Sequence, residues 1–242
     1  MMHEDKSESR RQRSSYREAL YGLNSAQKSG AGVPAYTRWV NRRLARYAAA
    51  AGYVWRWTPN MVTASSAAFS LVAIVLLIAV PAEQWTGFVI GPFLAVGYLL
   101  DSADGQLARL QRSGGPAGEW LDHVVDAMRT PAVHLAVLVG FWRGHQPAWA
   151  LVIVLCYCLV SVVQFMSQIL AEQLATRREV THSGVLRSFI LLPTDNGTFC
   201  WIFVLWGFPP AFLVIYTMMF ALNTSHSAIS MRRKYRGLQA AR

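Results

Sequence analysis

Charge is what this sequence has least of. Only 15% of its 242 residues are Asp, Glu, Lys or Arg, and 53% are hydrophobic. A soluble domain carries about 25% charged residues, so the balance argues against a soluble globular enzyme. Cysteine is also scarce: Cys156, Cys158 and Cys200 are the whole set, all in apolar runs. Cys156 and Cys158, two apart on a helix, point to different sides, so neither a disulfide framework nor a zinc site is expected. The poverty in aromatics that marks disordered chains is missing, since there are nine Trp, eleven Phe and nine Tyr. The net charge of +10 does not mark a nucleic-acid binder, because the basic residues flank long apolar runs instead of covering a folded surface.

What is present is a series of long uncharged stretches, and a bilayer span needs about 20 mostly apolar residues. Met61 to Pro81 gives one span, Gln84 to Leu100 a second, and Ala148 to Ala171 a fourth. A third, from about Trp120 to Trp142, contains Asp122, Asp126 and Arg129. Asn196 to Met231 is uncharged and broken by Pro209-Pro210, which predicts a hairpin of two spans, the fifth starting near Ser188 and the sixth ending near Met231. The expected fold is an all-α integral membrane protein of six transmembrane helices. Of 23 Lys and Arg, all but Arg129 and Arg143 fall in the N-terminal segment, the loops after spans two and four, and the C-terminal tail. By the positive-inside rule these regions are cytoplasmic, with both termini inside. A cell (inner) membrane location with a cytoplasmic active site is expected.

Residues 1–33 lack periodicity and an apolar signal-peptide core, and read as a disordered cytoplasmic tail. In 34–56, Tyr36, Val40, Leu44 and Tyr47 recur at helical spacing among Arg38, Arg42, Arg43 and Arg46. This predicts an N-terminal amphipathic juxtamembrane helix on an anionic leaflet. The membrane domain is expected over 34–236, with a C-terminal tail of 237–242.

The chain has six Asp, and four of them, Asp101, Asp104, Asp122 and Asp126, lie within 26 residues. Asp101 and Asp104 share one helix face, and Asp122 and Asp126 share a face of the next helix. The turn Ser113-Gly114-Gly115-Pro116 folds the two helices antiparallel, so both pairs face each other near the cytoplasmic boundary. Carboxylates gathered in a membrane segment repel strongly unless a cation holds them. An all-oxygen donor set suits Mg²⁺ or Mn²⁺, and four Asp can hold two ions in the manner of phosphoryl-transfer sites. The plain alternative is buried salt bridges with Arg109, Arg112 and Arg129. Gly105, Ala108 and Gly118 are small residues that let a flat ligand or another backbone approach. Arg109, one turn past Gly105, is placed to grip a phosphate.

Asp101-x2-Asp104-Gly105-x2-Ala108-Arg109-x8-Gly118-x3-Asp122-x3-Asp126 resembles the complete signature of the CDP-alcohol phosphotransferase (CDP-alcohol phosphatidyltransferase) family. Thr58-Pro59-Asn60 with Val62-Thr63 is similar to the family's opening of the first span. The resemblance implies a membrane transferase of phospholipid biosynthesis and lipid metabolism. An acceptor hydroxyl attacks the β-phosphorus of a CDP-linked donor, such as CDP-diacylglycerol, and CMP leaves. Carried over by position, Asp101, Asp104 and Asp122 bind the metals, and Asp126 helps bind the second metal or acts as base. Gly105, Ala108 and Gly118 make room for the cytidine and diphosphate, Asn60 and Thr63 lie on the donor side, and Arg109 contacts the donor phosphates or braces the acids. Expected partners are the CDP-linked lipid, a small alcohol or phosphoalcohol, the bilayer and a second copy in a homodimer.

A phosphorylated acceptor needs further cations, and Arg129, Arg178 and Arg187 are the candidates, with Arg177 and Arg112 behind them. Arg129 either binds an acceptor phosphate or pairs with a carboxylate of the cluster. Ala127 stands where many members carry a basic residue. Arg38-x-x-Asn41-Arg42 resembles the preface of members that use inositol phosphate, so inositol phosphate is favoured and glycerol phosphate comes second. His134 reads as packing, Gln164 and Gln168 as interhelical hydrogen bonds or cavity lining. Asp195 caps a broken helix or binds an acceptor-side cation. A catalytically silent scaffold or a cation transporter is the competing class. A silent relative would have lost a signature Asp, and a transporter would carry polar residues through the full membrane depth.

Overall fold

The computed structural model describes residues 15–24, 30, 32–174 and 184–240. They form helices, with no strand among the described residues. We label 15–24 α1 and 35–54 α2, the latter opening with a wide π-helical turn, Thr37–Asn41. There follow α3 (Pro59–Ala79), α4 (Gln84–Gln111), α5 (Pro116–Arg143), α6 (Ala148–Leu174), α7 (Val185–Ile190), α8 (Asn196–Ile202) and α9 (Pro209–Ala240). Helices α3, α4, α5, α6 and α9 are each long and apolar enough to cross a membrane. Leu155, Leu159, Val163, Met166 and Leu170 stay exposed along α6, the pattern of a helix facing lipid instead of water.

Local chemistry sets the helix ends. The Thr58 hydroxyl accepts the Met61 N–H at 3.3 Å, and Pro59 fills the first position of α3, where no N–H is needed. At the end of α4, Arg112 turns left-handed (φ 52°), and the glycines that follow send the chain back into α5 at Pro116. Helix α4 is the hub, packed on α2, α3 and α8, while α5 packs on α3 and α6, and α6 on α9.

The segment that the sequence reads as a fifth span departs from that expectation. It is broken into α7, a 3-10 turn at Leu192–Thr194, and α8 continued by a 3-10 turn at Phe203–Leu205. The unbroken apolar piece, Asn196–Leu205, is about 15 Å long, half the hydrocarbon thickness. Among the described residues the architecture is therefore five long spans and one broken passage, not six long helices. Pro193 supplies no N–H, and Asp195 takes an extended conformation (φ −83°, ψ 124°) to cap α8, so no helix continues through them. The passage still packs on α2 and α4: Asp195 lies beside Thr37 of α2, and a Cβ on Gly87 of α4 would stand 2.3 Å from the Val204 carbonyl oxygen, an approach only glycine permits.

Two further boundaries move, and the buried face of α2 is not the stripe read from the sequence. Within the expected tail of 1–33, residues 15–24 are helical, because Ala19 and Leu23 are buried against Ala45, Ala49 and Leu107. Helix α2 forms where a juxtamembrane helix is expected, yet its buried face is Ala45, Ala49 and Ala50, while Val40, Leu44 and Tyr47 point outward. Helix α9 runs on through Gly237 to Ala240, so the tail expected from 237 is helical up to there.

The apolar interior has two parts. A large one joins α3, α4, α5, α6, α8 and α9, and a smaller one joins α1, α2, α3 and α4. Along α4 the first ends near Ala95 and the second begins at Ala103. Between them, Tyr98, Asp101 and Ser102 contribute to a polar layer.

Candidate active site

The polar layer is built from both sides of the α4–α5 hairpin. Asp101, Asp122 and Asp126 bring carboxylate oxygens within 4.8 Å of one another, each side chain half-buried. Like charges that close repel, and one cation reaches into the group: Arg129 Nη2 lies 2.9 Å from Asp101 Oδ1, and Nη1 lies 3.4 Å from Asp126 Oδ1. Arg129 Nη2 also donates to Ser66 Oγ on α3 at 3.0 Å, while its buried Nε has no hydrogen bond among the described residues. Three convergent carboxylates offer a hard, all-oxygen donor set, which fits Mg²⁺ or Mn²⁺ and not a soft ion.

Asp104 is placed differently from its three companions. It is 5% exposed; Thr63 donates to Oδ2 at 2.6 Å and the Gly105 N–H reaches Oδ1 at 2.5 Å. It stands outside the group of three. The other residues expected on the donor side lie around it. A Cβ on Gly118 would be 3.9 Å from Asn60 Oδ1, so α5 and α3 come within ordinary contact distance there, and one on Gly105 would be 3.5 Å from an Arg109 nitrogen of the same helix. Ala108 is half-buried on the same turn.

On the other side of the acids is a cavity of about 440 Å³. Asp101, Asp126 and Arg129 line it, and none of Asn60, Thr63, Asp104, Gly105, Ala108, Arg109 or Gly118 does. The carboxylates thus stand between these small residues and a polar chamber. Arg187 is half-buried and does not line the chamber. Arg178 lies outside the described residues. The Arg38-x-x-Asn41-Arg42 preface does not line it either. Asn41 is buried as a joint, donating from Nδ2 to Ser102 Oγ at 2.6 Å, and Arg38 Nη1 reaches Ser188 Oγ at 3.2 Å.

Sequence reasoning missed the cation at the far wall, Lys234, and its neighbour Ser230; Asn223 and His226, polar residues of the expected sixth span, line the chamber beside them. The signal was available: these positions recur every three or four residues on one face of α9. His134 and Gln164 do line the chamber. His134 is tied to Tyr216 Oη at 2.6 Å and Ser161 Oγ at 3.1 Å, and Gln164 accepts from Ser227 Oγ.

Residues 56–231 match the model of the CDP-alcohol phosphatidyltransferase family. That stretch holds all four signature acids, the donor-side residues and most of the chamber wall. Metal-dependent phosphotransfer is the chemistry that three clustered carboxylates beside a polar chamber are suited to. The chain belongs to the CDP-alcohol phosphatidyltransferase family.

Proposed function

We propose that the chain moves a phosphatidyl group from CDP-diacylglycerol to a small phosphorylated polyol and releases CMP, with its site on the cytoplasmic side of the cell's inner membrane. One observation carries this reading: Asp101 and Asp126 open onto a polar chamber whose wall also holds two cations, Arg129 and Lys234. Two cations beside a pair of acids favour an acceptor that is itself a phosphate ester. The polar lining from Tyr98, Ser161, Gln164 and Ser230 favours one with several hydroxyls. Inositol phosphate fits best and glycerol phosphate second. The basic residues gathered on one side of the spans support the cytoplasmic orientation.

Asp101, Asp122 and Asp126 would hold the divalent ions, Mg²⁺ or Mn²⁺, with Asp104 completing a two-ion set. Bound there, such ions neutralise the diphosphate oxygens and the charge that builds on departing CMP. The chain's own groups do the rest. Gly105, Ala108 and Gly118 leave space for the cytidine and diphosphate. Asp126, facing the chamber, takes the proton from the acceptor hydroxyl as its oxygen bonds to phosphorus, and CMP leaves with the electrons of the broken P–O bond. Arg129 pairs with Asp101 and Asp126 while the metals are absent and turns part of its guanidinium to the acceptor phosphate.

Purified protein with radiolabelled CDP-diacylglycerol, Mn²⁺ and a panel of alcohols tests the reading. CMP release should require a phosphorylated polyol, and Lys234→Gln should raise the KM for that acceptor. CMP release with none of the panel, or with unphosphorylated acceptors alone, would overturn it.

A further inference from the structure

Asp195 is 1% exposed, and its carboxylate is saturated. Thr37 N–H donates to Oδ2 at 2.7 Å, Thr37 Oγ1–H donates to Oδ1 at 2.7 Å, and Gly197 N–H donates to Oδ1 at 2.9 Å. With its proton given to Asp195, Thr37 Oγ1 must accept from Tyr98 Oη, 2.7 Å away. The chain of bonds has one direction, Tyr98 to Thr37 to Asp195. It ties α4, one turn before Asp101, to the N-terminal turn of α2 and to the cap of α8. The same carboxylate closes two helix starts, since the Thr37 N–H lies in the first turn of α2, where no intrahelical partner exists.

Around this node the two segments touch closely. Trp201 Nε1 donates to Tyr36 Oη at 2.8 Å, Trp39 and Phe189 rings are 5.2 Å apart, and a Cβ on Gly197 would lie 2.0 Å from the Tyr36 ring. Gly32 and Pro34, just ahead of Thr37, line the chamber, as do Tyr98 and Asp195. A carboxylate with all its near donors satisfied is poorly placed to hold a cation. Its geometry is that of a fastening.

We infer that Asp195 is a positioning residue: through Thr37 it seats residues 32–37 as the roof of the chamber, and so sets how tightly the acceptor is held. This rests on the reading of the chamber as the acceptor site. Neither Asp195 nor Thr37 touches the reacting atoms, so loosening the pair acts on the acceptor and leaves the donor side and the metal requirement alone.

Three variants and two readouts test it. Thr37→Val keeps the N–H and deletes the hydroxyl, Thr37→Ser keeps both, and Asp195→Asn keeps the shape and removes the charge. Thr37→Val should raise the KM for the acceptor roughly tenfold, the scale of losing a hydrogen bond to a charged group, with the KM for the CDP donor and kcat within about twofold. Asp195→Asn should do at least as much, and Thr37→Ser should behave as the parent. The second readout needs no turnover. Cys200 is buried and lines the chamber, whereas Cys156 is exposed on α6. Methyl methanethiosulfonate should modify Cys200 roughly tenfold faster in Thr37→Val, through local opening, with Cys156 unchanged. Equal losses on donor and acceptor, a serine variant as impaired as the valine one, or faster modification of both cysteines would reduce the pair to general stability and overturn the inference. So would an unchanged Cys200 rate. If the parent protein releases no CMP, the transferase reading fails by itself, and the Cys200 comparison still decides whether the Thr37–Asp195 pair closes the chamber.

Discussion

Asp195 and the acidic cluster stand beside the same chamber and are treated in opposite ways. Asp195 is enclosed by three donors, all on backbone or side chains that the fold needs there anyway. Asp101, Asp122 and Asp126 face one another within 4.8 Å, and Arg129 offsets charge on two of them. Burying a carboxylate stabilises a fold only when its lone pairs are filled, so the first arrangement serves structure. The second holds like charges together at a cost to the empty protein, and that cost is recovered when a cation binds. Location in the membrane and residue type are the same in both; the supply of donors is what differs.

The sharpest test of this contrast is removal of the metal. Chelation should abolish CMP release, and Asp101→Ala or Asp122→Ala should lose activity and metal binding together. Asp195→Asn should retain the metal midpoint of the parent. Chelator-resistant turnover, or a shifted midpoint in Asp195→Asn, would erase the distinction.

Asp126→Asn is expected to have the next largest effect. An amide oxygen still coordinates but takes no proton, so turnover should fall by about a hundred- to ten-thousand-fold, with CDP-donor binding near normal. Turnover within a few-fold of the parent would remove Asp126 from the role of base. Joint loss of donor and metal binding would make it a ligand only.

Arg129→Gln should split in sign. Losing the cation that pairs with Asp101 and Asp126 leaves more charge for a divalent ion, so metal affinity should rise. The acceptor should bind roughly tenfold more weakly, as expected when a charged hydrogen bond to phosphate is lost. Titration of Mn²⁺ against activity at fixed and varied acceptor separates the two. A fall in both affinities would mean that Arg129 only braces the cluster.

The cluster was legible in the sequence because it is local. A spacing of four places Asp122 with Asp126, and a glycine turn folds them onto Asp101, while Asp104, three residues on from Asp101, stands outside the group. The long spans were legible for the same reason, since apolar runs need no partner to be recognised. What was not legible depends on distant pairs. The fifth apolar run is broken at Asp195, whose partner Thr37 is 158 residues away. Helix α1 does follow the apolar spacing of a helix at Tyr16, Ala19, Leu20 and Leu23, but over so few turns that its burial rests on alanines of α2 and on Leu107. The alanine face that fixes α2 to the bundle was not legible, because alanine carries little hydrophobic signal.

The smallest expected effect decides where Asp104 belongs. By sequence position it is a metal ligand, yet its bonds to Thr63 and the Gly105 N–H give it the partners of a structural acid. Thr63→Val removes the stronger side-chain donor and preserves the shape. If Asp104 is structural, a buried carboxylate loses its partner in the metal-free protein, at about 1–3 kcal/mol. Tm should then drop by a few degrees without metal, and the metal midpoint should hold. If Asp104 turns to the metal when loaded, the Thr63 bond competes with ligation. Thr63→Val should then tighten metal binding, and saturating Mn²⁺ should offset the loss of Tm. Paired melting curves with and without Mn²⁺ distinguish the two, and unchanged curves in both conditions would show that the Thr63–Asp104 bond serves neither role.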